Sequence, residues 1–279
     1  MALNNLRHTT EFQSLASLIT AEARGRQVFY APNRGNWGDG LIHQGTVQFL
    51  KHYKIPYEQI TRENFARIAA GFKGSSLRMK DSLLLAGGGG SWCNNYQGSR
   101  NFIRDHHHLF DKIIMMPATF ELPSLDVAGD KITYVARDHT ESRKSIPGAL
   151  FCHDMAFFLQ IENLNLSDTD RDGYFYRTDK EKHPDRVPVP DASFDISSIG
   201  NDAKDVRPFF QILSAYRTIN TDRMHVAIAC SMMGKPTKLT VGNYFKARAV
   251  YRSSIEPYFP KTVLMESLQE AEQLQQASG

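Results

Sequence analysis

SLLLAGGGG, at residues 82–90, is a short and mostly apolar run that ends abruptly in four glycines. Apolar runs of about five residues are typical of β-strands that are buried on both faces of a sheet. Consecutive glycines carry a high entropic cost on folding, so a loop of four glycines indicates close backbone packing or a bound ligand. We therefore predict a buried strand at residues 82–86, followed by a loop with a packing or binding role.

The same pattern recurs along the first half of the chain. Further strands are predicted at residues 27–31 (QVFYA), 112–116 (KIIMM, ended by Pro117), 131–136 (KITYVA) and 150–152, with a helix from about residue 41 to residue 53. Apolar strands separated by helix-length segments indicate a parallel sheet covered by helices on both faces. In such sheets ligands bind at the carboxyl ends of the strands. Polar or glycine-containing segments follow all five strands, at residues 33–39, 87–92, 117–120, 137–138 and 154.

A polar segment at residues 163–173 (NLNLSDTDRDG) predicts a junction between two domains. We expect an α/β protein with a Rossmann-like domain over residues 1–162 and a smaller Rossmann-like domain over residues 163–279. The elements predicted for the second domain are a strand at 174–177, a proline-rich excursion at 183–195, a helix near 209, strands at 216–220 and 238–241, and a charged helix at 264–279.

Composition narrows the class of protein. The chain has 279 residues and a formal net charge of +3 without a long basic run, so we expect no nucleic-acid partner. Cys93, Cys152 and Cys230 form no CxxC pair, which indicates a reducing compartment and no metal site. Residues 1–26 do not resemble a signal peptide, and no apolar run reaches the ~20 residues that cross a bilayer. We therefore expect a cytoplasmic protein.

Residues 221–236 (TDRMHVAIACSMMGKP) predict a helix whose two ends are both marked in the sequence. Thr221 or Asp222 can cap its start, and Gly234 suits the left-handed position that follows its end. The body is too apolar for a surface helix, so we expect it to be buried.

Two side chains in the first turn of this helix indicate a function. Arg223 and His225 lie where unsatisfied N–H groups and the helix dipole already favour anions. We therefore predict that this end of the helix binds a phosphate or a carboxylate.

Residues 35–40 (GNWGDG) lie between a predicted strand and a predicted helix. Their glycines allow backbone N–H groups to approach an anion, which would make Asn36 and Gly38 substrate-binding residues. The alternative is a tight turn in which Asp39 caps the helix. The pattern is neither GxGxxG nor a P-loop, so it predicts no nucleotide.

Three further strand ends offer the same choice between ligand binding and local structure. Gly88 and Gly89 form either a floor for a substrate or a bend where backbones pack closely. Arg137 can clamp a carboxylate or a phosphate. The alternative there is an ion pair with Asp138, or a helix cap made by Asp138. Asp154 is either a cap or a site residue.

Taken in order, these segments resemble the polysaccharide pyruvyl transferase family. The matching segments are GNWGD, LLLAGGGG, IIMMPATF, VARD, HDMAF, YFYRTD and TDRMH…GKP, which together span roughly residues 27–250. Met224 stands where leucine is usual in the family, Ala118 stands where glutamine is common, and the second domain carries an unusual proline-rich insert. These departures concern the acceptor more than the reaction.

The resemblance implies two Rossmann-like domains in a GT-B-like arrangement, with the site in the cleft between them. It implies phosphoenolpyruvate as donor and a sugar with two neighbouring hydroxyls as acceptor. The product would be a cyclic pyruvate ketal on an exopolysaccharide or cell-surface glycan. Arg137 and Arg223 would bind the donor's carboxylate and phosphate, with His225 beside them. The reaction requires no metal and no cofactor.

The residue types suit this chemistry. Phosphoenolpyruvate carries about three negative charges, which require cations and a helix N-terminus. Ketal formation begins with protonation of the vinyl CH2 carbon, and His225 is the expected general acid, with an effect of about 10²–10⁴-fold on the rate. Asp39 or Asp154 would accept the proton of the attacking hydroxyl.

Two other functions stay open at this point. A GT-B-like glycosyltransferase would place Arg223 and His225 on the diphosphate of a nucleotide sugar, although the sequence lacks the late acidic residue that would bind a ribose. A glycan-binding relative without activity would tolerate the loss of His225. The sequence also leaves open a lipid-linked acceptor, peripheral contact with the inner face of a membrane, and a homodimer.

Overall fold

The computed structural model describes residues 3–61, 64–65, 81–164, 169–182 and 190–266. The chain folds into two compact units. The N-terminal unit comprises Arg7–Asn33 and Thr46–Met155, and the C-terminal unit comprises Met1–Leu6, Arg34–Gly45 and Ala156–Gly279.

This division differs from the predicted boundary at 162/163 in three respects. The last crossing between the units lies at 155/156, residues 34–45 belong to the C-terminal unit rather than to the first domain, and so do residues 1–6. Hydrogen bonds explain the second difference, because the backbone N–H of Gly35 donates to the Asp202 carboxylate and the Asp202 N–H donates back to the Gly35 carbonyl. Such a long-range pairing leaves no mark in a local sequence pattern.

A parallel sheet forms the centre of the N-terminal unit. Its strands are β1 (Gln27–Ala31), β2 (Glu58–Gln59), β3 (Ser82–Ala86), β4 (Gly89–Trp92), β5 (Lys112–Phe120), β6 (Ile132–Ala136) and β7 (Leu150–Phe151). They run in the order β2-β1-β3-β5-β6-β7, with β4 paired to β5 off this path, and every pair is parallel. The order places a topological switch point between β1 and β3, where folds of this kind bind ligands.

Four helices accompany this sheet within the described part of the chain. They are α1 (Thr10–Glu22), α2 (Trp37–His52), α3 (Gly98–His106) and α4 (Glu141–Ser145), and α2 begins in the C-terminal unit. Leu84, Ile113 and Met115 of the central strands pack with Trp92 and Phe120 in one buried cluster. Burial of these apolar side chains is the main source of stability of the unit.

The predicted strands of the first half are confirmed, but part of the predicted loop at 87–92 forms β4, and β5 is longer than predicted. β1 and β3 have the predicted bounds, whereas β5 continues through Pro117 to Phe120 instead of ending at the proline. The pairing of β5 with β6 shifts register between Met115 and Ala118. A residue without an N–H group is tolerated at such an irregularity, so Pro117 does not end the strand.

The C-terminal unit contains a second parallel sheet. Its strands are β8 (Gly173–Phe175), β9 (Ile219–Thr221), β10 (Thr237–Thr240) and β11 (Thr262–Met265), in the order β11-β10-β9-β8. The helices are α5 (Arg207–Ser214), α6 (Met224–Met232) and α7 (Lys246–Val250), and a π-helical turn (Tyr251–Ile255) follows α7. No helix within the described ranges is long and apolar enough to cross a membrane.

The predicted strands of this unit are present, with bounds shifted by up to three residues. The predicted helix at 264–279 is wrong at its start, because residues 262–265 form β11, and its remainder beyond residue 266 lies outside the described residues. Most of the predicted proline-rich excursion, residues 183–189, also lies outside them. The continuous apolar run at residues 263–265 (VLM) fits a strand as well as a helix, so the short pattern was ambiguous.

Helix α6 is buried along its length, as the sequence predicts. Gly234 follows its end with φ +68°, and the N–H groups of Gly234 and Lys235 donate to the carbonyls of Ser231 and Cys230. This is the Schellman arrangement that satisfies the last carbonyls of a helix. The helix therefore ends where the glycine predicts.

The start of α6 differs from the prediction. The cap residue is Arg223 rather than Thr221 or Asp222, and the side chain of Arg223 makes no capping hydrogen bond. Thr221 instead accepts the N–H of Arg223 at 3.0 Å, and Asp222 accepts the N–H of Arg177 at 2.7 Å. Both predicted capping side chains therefore accept backbone N–H groups that lie outside α6.

Candidate functional site

The first turn of α2 is built by the GNWGDG segment. Oδ1 of Asn36 accepts the N–H of Gly38 at 2.8 Å, and Oδ2 of Asp39 accepts the N–H of Asn36 at 3.1 Å. This reciprocal pair is a capping box in which Asn36, not Asp39, is the cap residue. One oxygen of the predicted catalytic carboxylate is therefore engaged in fixing the helix start.

The two motifs that the sequence singled out, GNWGDG and TDRMH, meet in the C-terminal unit. The imidazole of His225 packs directly on Gly38, and a side-chain carbon at position 38 would overlap its Nδ1 atom. Gly38 and His225 are each the second residue of a helix, so the N-terminal ends of α2 and α6 come together here. Both ends carry partial positive charge, which favours an anion at this place.

Arg223 lies beside this point but is already paired. Its guanidinium binds both carboxylate oxygens of Asp195, with Nε at 2.9 Å from Oδ1. Nη1 also forms an ion pair with Oδ2 of Asp179 at 2.8 Å. Burial alone would lower the pKa of Arg223, but the hydrogen bonds and the charge of Asp195 outweigh burial and raise it. The predicted donor-binding arginine is thus neutralised by two carboxylates of its own unit.

Arg177, which follows β8, centres a second group of ion pairs. Its Nη1 lies 2.5 Å from Glu181, which also contacts Nζ of Lys246 at 2.5 Å and accepts the hydroxyl of Tyr244 at 2.7 Å. Burial opposes ionisation of Glu181, yet the charges of Lys246 and Arg177 and these hydrogen bonds lower its pKa to about 2. The group joins the loops that follow β8 and β10.

In the N-terminal unit the structure brings two predicted site residues together. Arg137 donates from Nη1 to Oδ2 of Asp154 at 2.5 Å and from Nε to the hydroxyl of Thr119 at 2.8 Å. Arg137 is 1% exposed and Asp154 is 0% exposed. Each is the other's buried partner, so this pair is suited to structure rather than to substrate binding.

Asp138 caps a helix, which is the second of the two local roles predicted for it. Its carboxylate accepts the N–H groups of Thr140 and Ser142 and contacts the Ser142 hydroxyl. It therefore fixes the start of α4 and is not the ion-pair partner of Arg137.

The glycines after β3 are required by close packing. A side chain on Gly87 would overlap the backbone of Asn33, and one on Gly88 would overlap the carbonyl of Pro117. Gly89 has φ +103°, which other residues rarely adopt. The predicted substrate-binding role of Gly88 and Gly89 stays a prediction, but packing alone explains them.

Sequence reasoning missed a buried polar group at the switch point between β1 and β3. The hydroxyl of Ser91 donates to Oδ1 of Asn33 at 3.0 Å and lies 2.5 Å from the hydroxyl of Ser99 in the first turn of α3. Asp179 of the other unit lies in the YFYRTD segment of the resemblance, whereas Glu181 and Asp195 were missed. Single polar residues outside a recognisable motif gave no signal.

The comparisons with known proteins support the fold and leave the function open. A crystal structure of an uncharacterized protein from Klebsiella pneumoniae matches with a TM-score of 0.75 and 24% identity, covering 93% of this chain and 100% of that one. At this identity the likeness shows the fold, a Rossmann-like α/β fold with parallel sheets. No protein-family model and no curated protein matches the chain. The family resemblance and the GT-B-like arrangement stay predictions.

Asp154→Asn is expected to lower the free energy of unfolding by about 3 kcal/mol, because it leaves the Arg137 guanidinium buried without its counter-charge. The double variant Arg137→Met/Asp154→Leu removes both charges, so it should regain much of this loss. Urea unfolding followed by circular dichroism measures both effects. A single variant as stable as the wild type would show that the pair has no structural role.

Glu181→Gln tests the ion pairs around Arg177 by their pH dependence. The folded-state pKa of Glu181, about 2, lies below the unfolded value of 4.5, so these interactions stabilise the protein above pH 4.5 and are lost as the pH falls toward 2. The shift corresponds to about 3 kcal/mol. We expect the free energy of unfolding of the wild type to exceed that of Glu181→Gln by that amount at neutral pH. This difference should disappear as the pH falls from 4.5 to 2.

Urea unfolding at a series of pH values measures this gap, and Glu162→Gln, at an exposed glutamate of the same unit, is the control. A gap between wild type and Glu181→Gln that stays constant from neutral pH to pH 2 would contradict the assignment.

Proposed function

We propose that the protein is a pyruvyl transferase that forms a pyruvate ketal on a glycan from phosphoenolpyruvate. The observation that carries the proposal is the contact between His225 and Gly38. Two motifs of the resemblance, far apart in the sequence, meet with their helix N-termini together and a histidine between them. A general acid beside an anion-binding place is the arrangement that this reaction requires.

The anion is bound by backbone groups in this proposal. The first N–H groups of a helix have no partner inside the helix, and the side chain of Arg223, the cap residue of α6, makes no capping hydrogen bond. Arg223 is held by Asp195 and Asp179, so it contributes by fixing the start of α6 rather than by clamping the donor. Displacing either carboxylate would expose a buried charge, which is unfavourable.

The reaction then proceeds in two additions to one carbon. His225 donates a proton to the CH2 carbon of phosphoenolpyruvate, which leaves positive charge on C2 for the first hydroxyl to attack. The C2–O bond to phosphate breaks, and the second hydroxyl attacks C2 and closes the ring. Two C–O bonds form, one C–O bond breaks, the first hydroxyl proton restores His225, and the second leaves with the phosphate.

The remaining predicted residues take supporting roles. Asp39 holds the N–H of Asn36 and so maintains the helix start on which His225 packs. Arg137 and Asp154 are paired and buried in the N-terminal unit, so neither is assigned a proton transfer. A GT-B-like arrangement, a lipid-linked acceptor and attachment to the inner face of a membrane belong to the same proposal.

Calorimetry with phosphoenolpyruvate, followed by phosphate release with a panel of glycosides that carry two neighbouring hydroxyls, tests the proposal. We expect the wild type to bind the donor and release phosphate. His225→Gln should still bind the donor but lose about 10²–10⁴-fold in rate, because the proton donor is gone. His108→Gln, at an exposed histidine of the other unit, should behave as the wild type.

Absence of donor binding up to millimolar concentration would contradict the proposal. If a nucleotide sugar bound instead, and its affinity fell in the His225 variant, the glycosyltransferase alternative would replace it. Full phosphate release by His225→Gln would also contradict the role given to this histidine.

A further inference from the structure

One segment of the C-terminal unit, residues 195–205, contacts both helix starts of the candidate site. We name it the clasp. Its first residue, Asp195, binds Arg223, the cap residue of α6, through Nε at 2.9 Å and through a second guanidinium nitrogen. The same carboxylate accepts the N–H of Thr178 at 3.0 Å. Asp195 therefore fixes the start of α6 relative to the loop that follows β8.

The other end of the clasp fixes the start of α2. Asp202 accepts the N–H of Gly35 at 3.2 Å, and Asn201 pairs with Asn36 in an antiparallel bridge. The indole of Trp37 donates to the carbonyl of Asp205 at 3.0 Å. These bonds hold the three residues that lead into and begin the helix.

The middle of the clasp is short and rigid. A single 3-10 turn (Ile196–Ile199) joins its two ends, and Ile196 and Ser197 are buried. Gly200 lies so close to the indole ring of Trp37 that a side-chain carbon there would overlap it. The ring of Phe209 also packs edge-on against the indole of Trp37, with 5.4 Å between the ring centroids. The indole therefore has little room to move away from position 200.

We propose that the clasp sets the distance between the two helix starts and so places the imidazole of His225 on Gly38. Asp195 and Asp202 are positioning residues, since they act through Arg223 and Gly35 rather than on the substrate. This inference rests on the proposed function for its kinetic consequence, but the placement of His225 is a structural property that can be measured without substrate. Under this proposal Arg223 fixes the start of α6, a role that its guanidinium can perform while it is paired with Asp195 and Asp179.

Nuclear magnetic resonance of the full chain with labelled histidine and tryptophan side chains is the experiment. His225→Gln assigns the imidazole signals of His225, and Trp92→Phe separates the two indole signals. The test variants are Gly200→Ala, which pushes on Trp37, and Asp195→Asn, which removes the charge of one of the two carboxylates that bind Arg223. The controls are Gly148→Ala, where an added carbon meets nothing within 4 Å, and Asp191→Asn, an exposed aspartate just before the clasp.

We expect both test variants to shift the His225 signals, Gly200→Ala to shift the Trp37 indole as well, and both controls to leave these signals in place. In the phosphate-release assay kcat should fall about 10²-fold in the test variants, as for a displacement of about 1 Å, while KM for phosphoenolpyruvate stays within the same order of magnitude. Asp195→Glu should recover part of kcat, because it restores the charge beside Arg223.

Unchanged His225 signals in folded Gly200→Ala and Asp195→Asn would overturn the inference. If Gly200→Ala or Asp195→Asn fails to fold, Asp202→Ala at the half-buried end of the clasp replaces it. Unchanged His225 signals in Asp202→Ala would likewise overturn the inference. If the wild type has no activity, the proposed function fails, whereas the spectra still support or overturn the role of the clasp. Equal falls in kcat for test and control variants would also count against it.

Discussion

The imidazole of His225 occupies the space that a side chain at position 38 would need, and the candidate site depends on this exclusion. At position 38 a side-chain carbon would overlap Nδ1 of His225, so the imidazole can pack there only because the residue is glycine. Asn36 and Asp39 cap the start of α2, because the carboxamide of Asn36 accepts the N–H of Gly38 and the carboxylate of Asp39 accepts the N–H of Asn36. The result is two helix N-termini and a titratable side chain in one place, which is an environment suited to an anion that must receive a proton.

Among the described residues, the two arginines that follow β8 and precede α6 are held in ion pairs. Arg223 is bound by Asp195 and Asp179, and Arg177 is bound by Glu181. Buried pairs of this kind contribute little net stability compared with apolar residues, but removing one partner is strongly unfavourable. Their effect is therefore to fix geometry, and positive potential for a ligand comes from the backbone of the helix starts. The same reasoning applies in the other unit, where Arg137 and Asp154 neutralise each other in the core.

The sequence predicted those features that a local pattern encodes. Apolar runs located β1 and β3, and Gly234 located the end of α6, because strand burial and a left-handed cap each restrict residue type at fixed positions. The contact between GNWGDG and TDRMH was not predicted, because no local pattern relates two segments so far apart in the sequence. The partner of Arg223 could not be predicted, since nothing in its neighbourhood indicates that Asp195, 28 residues away, reaches it.

A crystal structure of the protein with bound phosphoenolpyruvate is the most direct test of the account. We predict the donor's anionic groups at the first turn of α6, with His225 near the CH2 carbon and Arg223 still paired with Asp195. A donor bound to Arg223 after displacement of Asp195, or bound at a place remote from His225, would contradict it.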